Sequence, residues 1–150
     1  MTPMQKRLMK TFIGFHVLMY RLTGGRFGAR MRGFKVLLLT TVGRKTGKRR
    51  TNPLGYFRDD QNYIVVASNA GMDNHPAWFY NLRHDPNISI QLGSKTIPVT
   101  ARITQGEERE RLMAKIMTEA PAYSGYQIRT TREIPIVVLH PKGKLGSNAA

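Results

Sequence analysis

Eight consecutive residues, Gly43-Arg44-Lys45-Thr46-Gly47-Lys48-Arg49-Arg50, carry five cations and two glycines. Arginine offers a planar fork that matches phosphate and carboxylate, and glycine lets the backbone approach a ligand closely. The chemistry this spells is anion binding, above all of phosphate. The spacing is not G-x-x-x-x-G-K-[ST], and the segment joins two strand-like runs instead of opening a helix. A Walker loop and a dinucleotide fingerprint are therefore excluded. A second cluster, Ala67-Ser68-Asn69-Ala70-Gly71, puts small residues at a strand end, where a flat ligand has room against the backbone. His75-Pro76-Ala77-Trp78-Phe79-Tyr80-Asn81-Leu82 follows closely and holds the single tryptophan. Trp78 either walls an aromatic pocket or packs in the core, and Asn81 either binds ligand or bonds backbone. Both pairs of readings stay open on sequence alone.

The charge pattern asks for an anionic partner. Of 24 Lys and Arg, fourteen lie between Lys6 and Arg58, and the first of nine acids is Asp59. Excluding acids from so long a stretch exceeds what solubility requires, so nucleic acid, a phospholipid surface or a phosphorylated small molecule is implied. The chain has no cysteine, which removes disulfides, thiolate metal sites and a cysteine nucleophile. Its four histidines, His16, His75, His84 and His140, are scattered without ligand spacing, so no metal site is expected. No nucleophile–base pair stands out either.

Elements must position these clusters, and 150 residues at 41% hydrophobic content suit one domain with a real core. Leu8, Phe12, Phe15, Met19 and Leu22 recur at helical steps ahead of Gly24-Gly25. That stripe is expected to dock on the domain's own core; the alternative is a basic amphipathic helix lying on anionic membrane. The apolar run is too short to span a bilayer and lacks a cleavage site of the signal-peptide kind. Strands are expected at 36–42, 49–57 (interrupted near Pro53), 63–68, 88–92, 96–103 and 134–139. Asp73 or Asn74 should cap a helix over 77–83. Thr104 and Glu107 read as a capping box for a helix over 107–119, ended by Pro121, with Tyr123 and Tyr126 in a connector. About six strands joined by hairpins and flanked by helices predict an α+β protein, mostly antiparallel and curled into a β-barrel. The domain plan is an N-terminal helix and connector over 1–33, a cofactor-binding barrel over 34–140 and a flexible tail over 141–150.

The order of motifs resembles the deazaflavin-dependent nitroreductase and quinone reductase family. The resemblance rests on Leu39-Thr40-Thr41-Val42-Gly43-Arg44-Lys45-Thr46-Gly47, Arg50-Thr51-Asn52-Pro53-Leu54, Ala67-Ser68-Asn69, Pro76-Ala77-Trp78-Phe79-Tyr80-Asn81-Leu82, Asp85-Pro86 and Ile134-Pro135-Ile136-Val137-Val138. It implies a split β-barrel and coenzyme F-420, a deazaflavin with a phosphate and a poly-glutamate tail. Arg44, Lys45 and Arg50 would hold the phosphate and nearby tail carboxylates, with Thr46, Gly47, Asn52 and Pro53 in the same motifs. Ala67, Ser68, Asn69 and Gly71 would border the ring, partly through backbone amides, while Pro76, Trp78 and Asn81 close the pocket. Tyr123 and Tyr126 would stand over the substrate. Ala70 stands where the family often has glycine and Asn69 where some members carry lysine, and Ala120 replaces a tyrosine of the nitroimidazole-reducing relative, which puts that substrate in doubt.

The implied activity is hydride transfer from the reduced deazaflavin to an electron-poor acceptor: a quinone, nitroaromatic, enone or lactone. The cofactor supplies the reactivity and the protein the orientation. The completing proton would come from Tyr123, Tyr126, Ser68 or water. An FMN-binding oxidoreductase on the same barrel is the nearest alternative. A nucleic-acid module is disfavoured because no aromatic residues interleave with the cations. The enzyme is expected in the cytoplasm, with peripheral membrane contact through the N-terminal helix left open.

Overall fold

The computed structural model describes residues 2–26, 30, 31 and 34–142. Its elements are α1 (Pro3–Leu22), β1 (Arg30–Met31), β2 (Phe34–Val42), β3 (Arg49–Gly55), β4 (Phe57–Asp59), β5 (Asn62–Val66), α2 (Ala77–His84), β6 (Asn87–Leu92), β7 (Lys95–Ile103), α3 (Gly106–Glu119), α4 (Ser124–Ile128) and β8 (Ile136–Pro141). The strands form one antiparallel sheet in the order β1-β2-β6-β7-β8-β5-β4, with β3 added to β2. The sheet curls around a core without closing, which gives the α+β split barrel that the strand pattern predicts.

Alternation sorts the residues of each strand onto two faces. Leu37, Leu39, Val65, Ile90, Val99, Val137 and Leu139 point into the barrel and meet Trp78, Phe79 and Leu82 of α2. Ile64, Ile136 and Val138 point the other way, beneath Leu112 and Ile116 of α3. Val36 and Leu38 face α1. The two-residue Gly93-Ser94 turn joins β6 and β7 as expected.

Several local expectations are corrected. Eight strands are present among the described residues: β1 was not anticipated, and the run 49–57 splits at Tyr56 into β3 and β4. Pro53 lies inside β3 opposite Leu38, tolerated because β3 pairs only with β2 and is an edge. Thr104 does not cap α3; its hydroxyl donates to the Ile136 carbonyl at 2.8 Å, and Gln105 takes the N-cap position without a side-chain bond. Neither Asp73 nor Asn74 caps α2, whose N-cap is Pro76; Asp73 instead accepts from the Thr130 hydroxyl at 3.0 Å. The connector after Pro121 contains a short helix, α4. Pro141, expected in the loose tail, is buried in β8 opposite Val99. Residues 143–150 and part of the 1–33 segment lie outside the described residues.

The largest correction concerns α1. The expected stripe turns outward: Leu8, Phe12, Phe15 and Leu22 are 63%, 67%, 55% and 71% exposed. Ile13, Val17 and Tyr20 dock instead, on Val36 and Leu38. Both sets have helical spacing because α1 is apolar around much of its circumference, so periodicity does not choose the buried face. The Tyr20 hydroxyl chooses it. That atom donates toward the carbonyls of Val36 (3.2 Å) and Gln91 (3.3 Å) and accepts from the Gly93 amide (2.9 Å).

Candidate functional site

The basic loop is an ordered turn. The Gly43 amide donates to the Lys48 carbonyl at 2.7 Å, the Gly47 amide to the Gly43 carbonyl at 2.8 Å, and the Lys48 amide to the Thr46 hydroxyl at 3.2 Å. A Cβ on Gly43 would stand 2.8 Å from that hydroxyl and 3.2 Å from the Lys48 carbonyl, so any larger residue there would displace the Thr46 side chain from its bond to the Lys48 amide. Asn81, buried in α2, ties the loop to the barrel. Its side-chain oxygen accepts from the Arg44 amide (3.1 Å) and guanidinium (3.3 Å), and its nitrogen donates to the Thr41 hydroxyl (3.2 Å). The Arg44 guanidinium also lies 4.9 Å from the centre of the Tyr80 ring.

A cleft of about 640 Å³ opens between this loop, β3, the start of α2 and α1. Arg44, Lys45, Thr46, Arg50, Asn52, Trp78 and Asn81 line it, all from the predicted set. Trp78 is 5% exposed, so it belongs to the core and to the cleft wall at once. Arg49 of the same basic motif also lines the cleft, as do Lys10, Ile13 and Gly14 of α1, which the residue pattern does not single out. No acid is among the lining residues. Several cations with no acid among them give the cleft a positive potential, which marks it as a site that attracts anions. Gly14 adds a shape argument. It stands inside a helix, where glycine costs about 1 kcal/mol relative to alanine, and a Cβ there would meet nothing within 4 Å. The helix backbone is thus bared toward open cleft.

The other predicted residues gather elsewhere. Gly47 and Pro53 stand in the loop and strand just described, and Pro76 precedes α2, but none lines the cleft. Ala67 is fully buried; its amide donates to the Pro135 carbonyl at 2.9 Å and its carbonyl accepts from Arg132 at 3.3 Å, so both backbone groups are engaged. Asn69, Ala70 and Gly71 all have positive φ, 47°, 55° and 78°. This left-handed run is costly for alanine and tolerated by asparagine and glycine. Gly71 is also required sterically, since a Cβ would meet the Tyr126 carbonyl at 2.9 Å. Ser68 and Tyr123 share a small cavity of about 10 Å³ with Gln127 and residues of α3, room for one water. The Tyr123 ring packs edge-on against Phe34, Phe57 and Tyr126, and burial raises its pKa above the ordinary tyrosine value.

One organising residue escaped the sequence reading. Arg132 donates to the carbonyls of Met72 (2.8 Å), Ala67 (3.3 Å) and Ser68 (2.8 Å), and its Nη1 lies 2.8 Å from Nδ1 of His75. Guanidinium is a donor only, so Nδ1 of His75 is an acceptor and the imidazole is neutral. Burial first, then the charges of Arg132 and Arg83, lower the His75 pKa below its ordinary value. Arg132 is thereby the clamp that holds the strained 68–75 segment against the end of β5.

Known proteins decide the family. A model of the family described as F420H(2)-dependent quinone reductase matches residues 13–141. The chain belongs to this family. An F420H(2)-dependent quinone reductase of Mycobacterium tuberculosis is 41% identical over 128 residues, covering 83% of this chain and 86% of the relative. A solved F420-H2 dependent reductase (FDR-A) superposes with a TM-score of 0.64 at 39% identity, over 70% of this chain and 93% of its own. Another solved chain, described as a domain-swapped dimer, has 34% identity and a TM-score of 0.67, over 93% of this chain and 100% of its own. As a member of the F420H(2)-dependent quinone reductase family, the protein is an oxidoreductase that uses coenzyme F-420. The residues present fit that cofactor: an acid-free cationic cleft suits its phosphate and carboxylates, and the bared backbone at Gly14 leaves room beside them.

Proposed function

We propose that this protein reduces a quinone, with coenzyme F-420 held in the cleft between the basic loop and α1. The observation that carries this reading is the convergence of Arg44, Lys45 and Arg50 beside Trp78 in a cleft with no acid. Arg44, Lys45 and Arg50, with Thr46, Gly47, Asn52 and Pro53 shaping the turn and strand, hold the phosphate and adjoining carboxylates. Asn81 fixes the Arg44 backbone so that its guanidinium does not have to be ordered on binding. Trp78 and Pro76 wall the ring pocket, and the 67–71 segment borders it through Ser68, Asn69 and Gly71 more than through Ala67, whose amide is engaged.

When bound in its reduced form the coenzyme supplies a hydride donor; the residues of this chain orient it and manage the proton. Ser68, Tyr123 and Tyr126 form the proton-donating group. Ser68 and Tyr123 share one cavity, Tyr126 lies against Tyr123 at 5.5 Å, and burial keeps the Tyr123 phenol protonated at neutral pH. A quinone suits the outer face of α1 as well, because Phe12, Phe15 and Leu18 are exposed on the same helix as Lys6, Arg7 and Lys10. A basic helix with exposed aromatics rests on anionic lipid, where quinones dissolve. No helix among the described residues is long and apolar enough to cross a membrane, so this contact is peripheral.

Titration with oxidised coenzyme F-420 in parallel with FMN, read through Trp78 fluorescence at two salt concentrations, tests the cofactor. Tight, salt-weakened binding of the deazaflavin alone is expected, and preference for FMN would overturn the reading. With cofactor affinity measured, a soluble quinone tests the acceptor. The Tyr123→Phe/Tyr126→Phe double variant should then lose turnover while keeping cofactor affinity.

A further inference from the structure

The cationic cleft does not end at the basic loop. A second, polar groove of about 440 Å³ shares Arg49 and Thr51 with it and continues to Arg21 at the last turn of α1. Its floor is one rung of the sheet: Thr51 of β3 pairs with Thr40 of β2, and Thr40 pairs with Ser89 of β6. Thr40 and Thr51 hydroxyls lie 2.8 Å apart, and the Arg21 guanidinium donates to the Thr51 hydroxyl at 3.1 Å. No carboxylate lines the groove, and among the described residues neither Arg21 nor Arg49 is paired with one. Two arginines over a floor of hydroxyls form a set of donors with no protein anion to receive them. Arg21 is also held in place, because the neighbouring Tyr20 hydroxyl binds the sheet and the Gly93 amide.

We infer that the carboxylate tail of coenzyme F-420 runs along the gap between α1 and β3, with Arg21 and Arg49 forming a second anion subsite for its far end. The inference rests on the cofactor reading above and extends it to α1. Gly14 and Lys10 wall the first cleft, and Arg21 stands seven residues beyond Gly14 on the same helix. Seven helical residues rise roughly 10 Å, a span that an extended chain of about three residues covers. A tail of a few glutamates spans that distance, whereas the form that ends at the phosphate carries no carboxylate chain to extend toward Arg21. In this arrangement α1 is part of the binding site, and its arginine reads the length of the tail.

The test compares two probes on the full chain: coenzyme F-420 carrying several glutamates, and the form that ends at the phosphate. Equilibrium binding is read through Trp78 fluorescence. Wild type should bind the long-tailed probe more tightly, and the difference should shrink with added salt. Arg21→Gln should weaken the long-tailed probe about five- to tenfold and leave the short one unchanged. Arg21→Lys should restore most of the loss, while Arg44→Gln should weaken both probes. A melting temperature matching wild type confirms that Arg21→Gln is folded, and a selective loss for one probe is not produced by a general structural defect. Equal affinity of wild type for the two probes, or an equal loss of both on Arg21→Gln, overturns the tail path and leaves the cofactor reading standing. Failure of wild type to bind either probe overturns the cofactor reading and this inference together.

Discussion

Two segments of similar length flank the candidate site and are built in opposite ways. The loop at 43–50 is exposed, densely charged and closed by its own short-range hydrogen bonds, and its long-range ties run to Asn81 and the Tyr80 ring of α2. The segment at 67–75 is held in a left-handed run by a residue about sixty positions away, Arg132. The first leaves its charged side chains at the surface, available to the ligand proposed above; the second uses its contacts to fix its own shape. The comparison teaches that a binding loop advertises its function through composition, whereas a positioned loop hides its function in contacts made from elsewhere.

The sharpest way to break the contrast is to remove the clamp. Arg132→Ala deletes donors to three carbonyls and to His75, and should destabilise the fold by about 2–3 kcal/mol in denaturant titration. The matching deletion in the basic loop, Arg44→Ala, should leave stability within about 0.5 kcal/mol, since its side chain is exposed. Next in size, Gly71→Ala should cost about 1–3 kcal/mol from its positive φ and the clash with the Tyr126 carbonyl. Ala70→Gly should be neutral or stabilising by up to about 1 kcal/mol, because it relieves the same conformation. Thermal melts of the pair separate strain from packing.

For the binding loop the response should be in affinity. Arg50→Gln should weaken coenzyme F-420 about tenfold at low salt, with the melting temperature unchanged. The smallest effect is on pH dependence. The folded state holds His75 neutral below its ordinary pKa of 6.5, so the unfolded chain takes up the proton first as pH falls. Stability contributed by this group is complete above about 6.5 and declines as the pH drops toward the lowered folded value. Melting temperatures between pH 7.5 and 5.5 should show that slope in wild type, and His75→Gln should flatten it.

What could be read from the residue order follows the same division. The anion loop, the Gly93-Ser94 hairpin and the buried strand at 36–42 carry their signals locally, in glycine placement, charge and unbroken aliphatic runs. The buried face of α1 was not legible, because Ile13, Val17 and Tyr20 compete with a second apolar stripe and a single hydroxyl decides between them. Thr104 had the spacing of a cap but bonds across to β8, a partner no local window contains. Arg132 looked like one more cation in a Thr-Thr-Arg-Glu connector, and only the fold brings the carbonyls of Ala67 and Ser68 to it. Lys10 and Gly14 were read as helix, and the geometry of the helix against β3 makes them cleft.

The Tyr20 hydroxyl also sets a timetable. Its amide partner, Gly93, follows it by 73 residues. At ribosomal rates the helix waits about 4–15 s for that partner to be made. During that interval Val36 and Leu38 are already made, but the Gln91 carbonyl and the Gly93 amide that fix the Tyr20 hydroxyl are not. During those seconds the inner face of α1 is open to a chaperone, a lipid surface or the same helix of a neighbouring nascent chain.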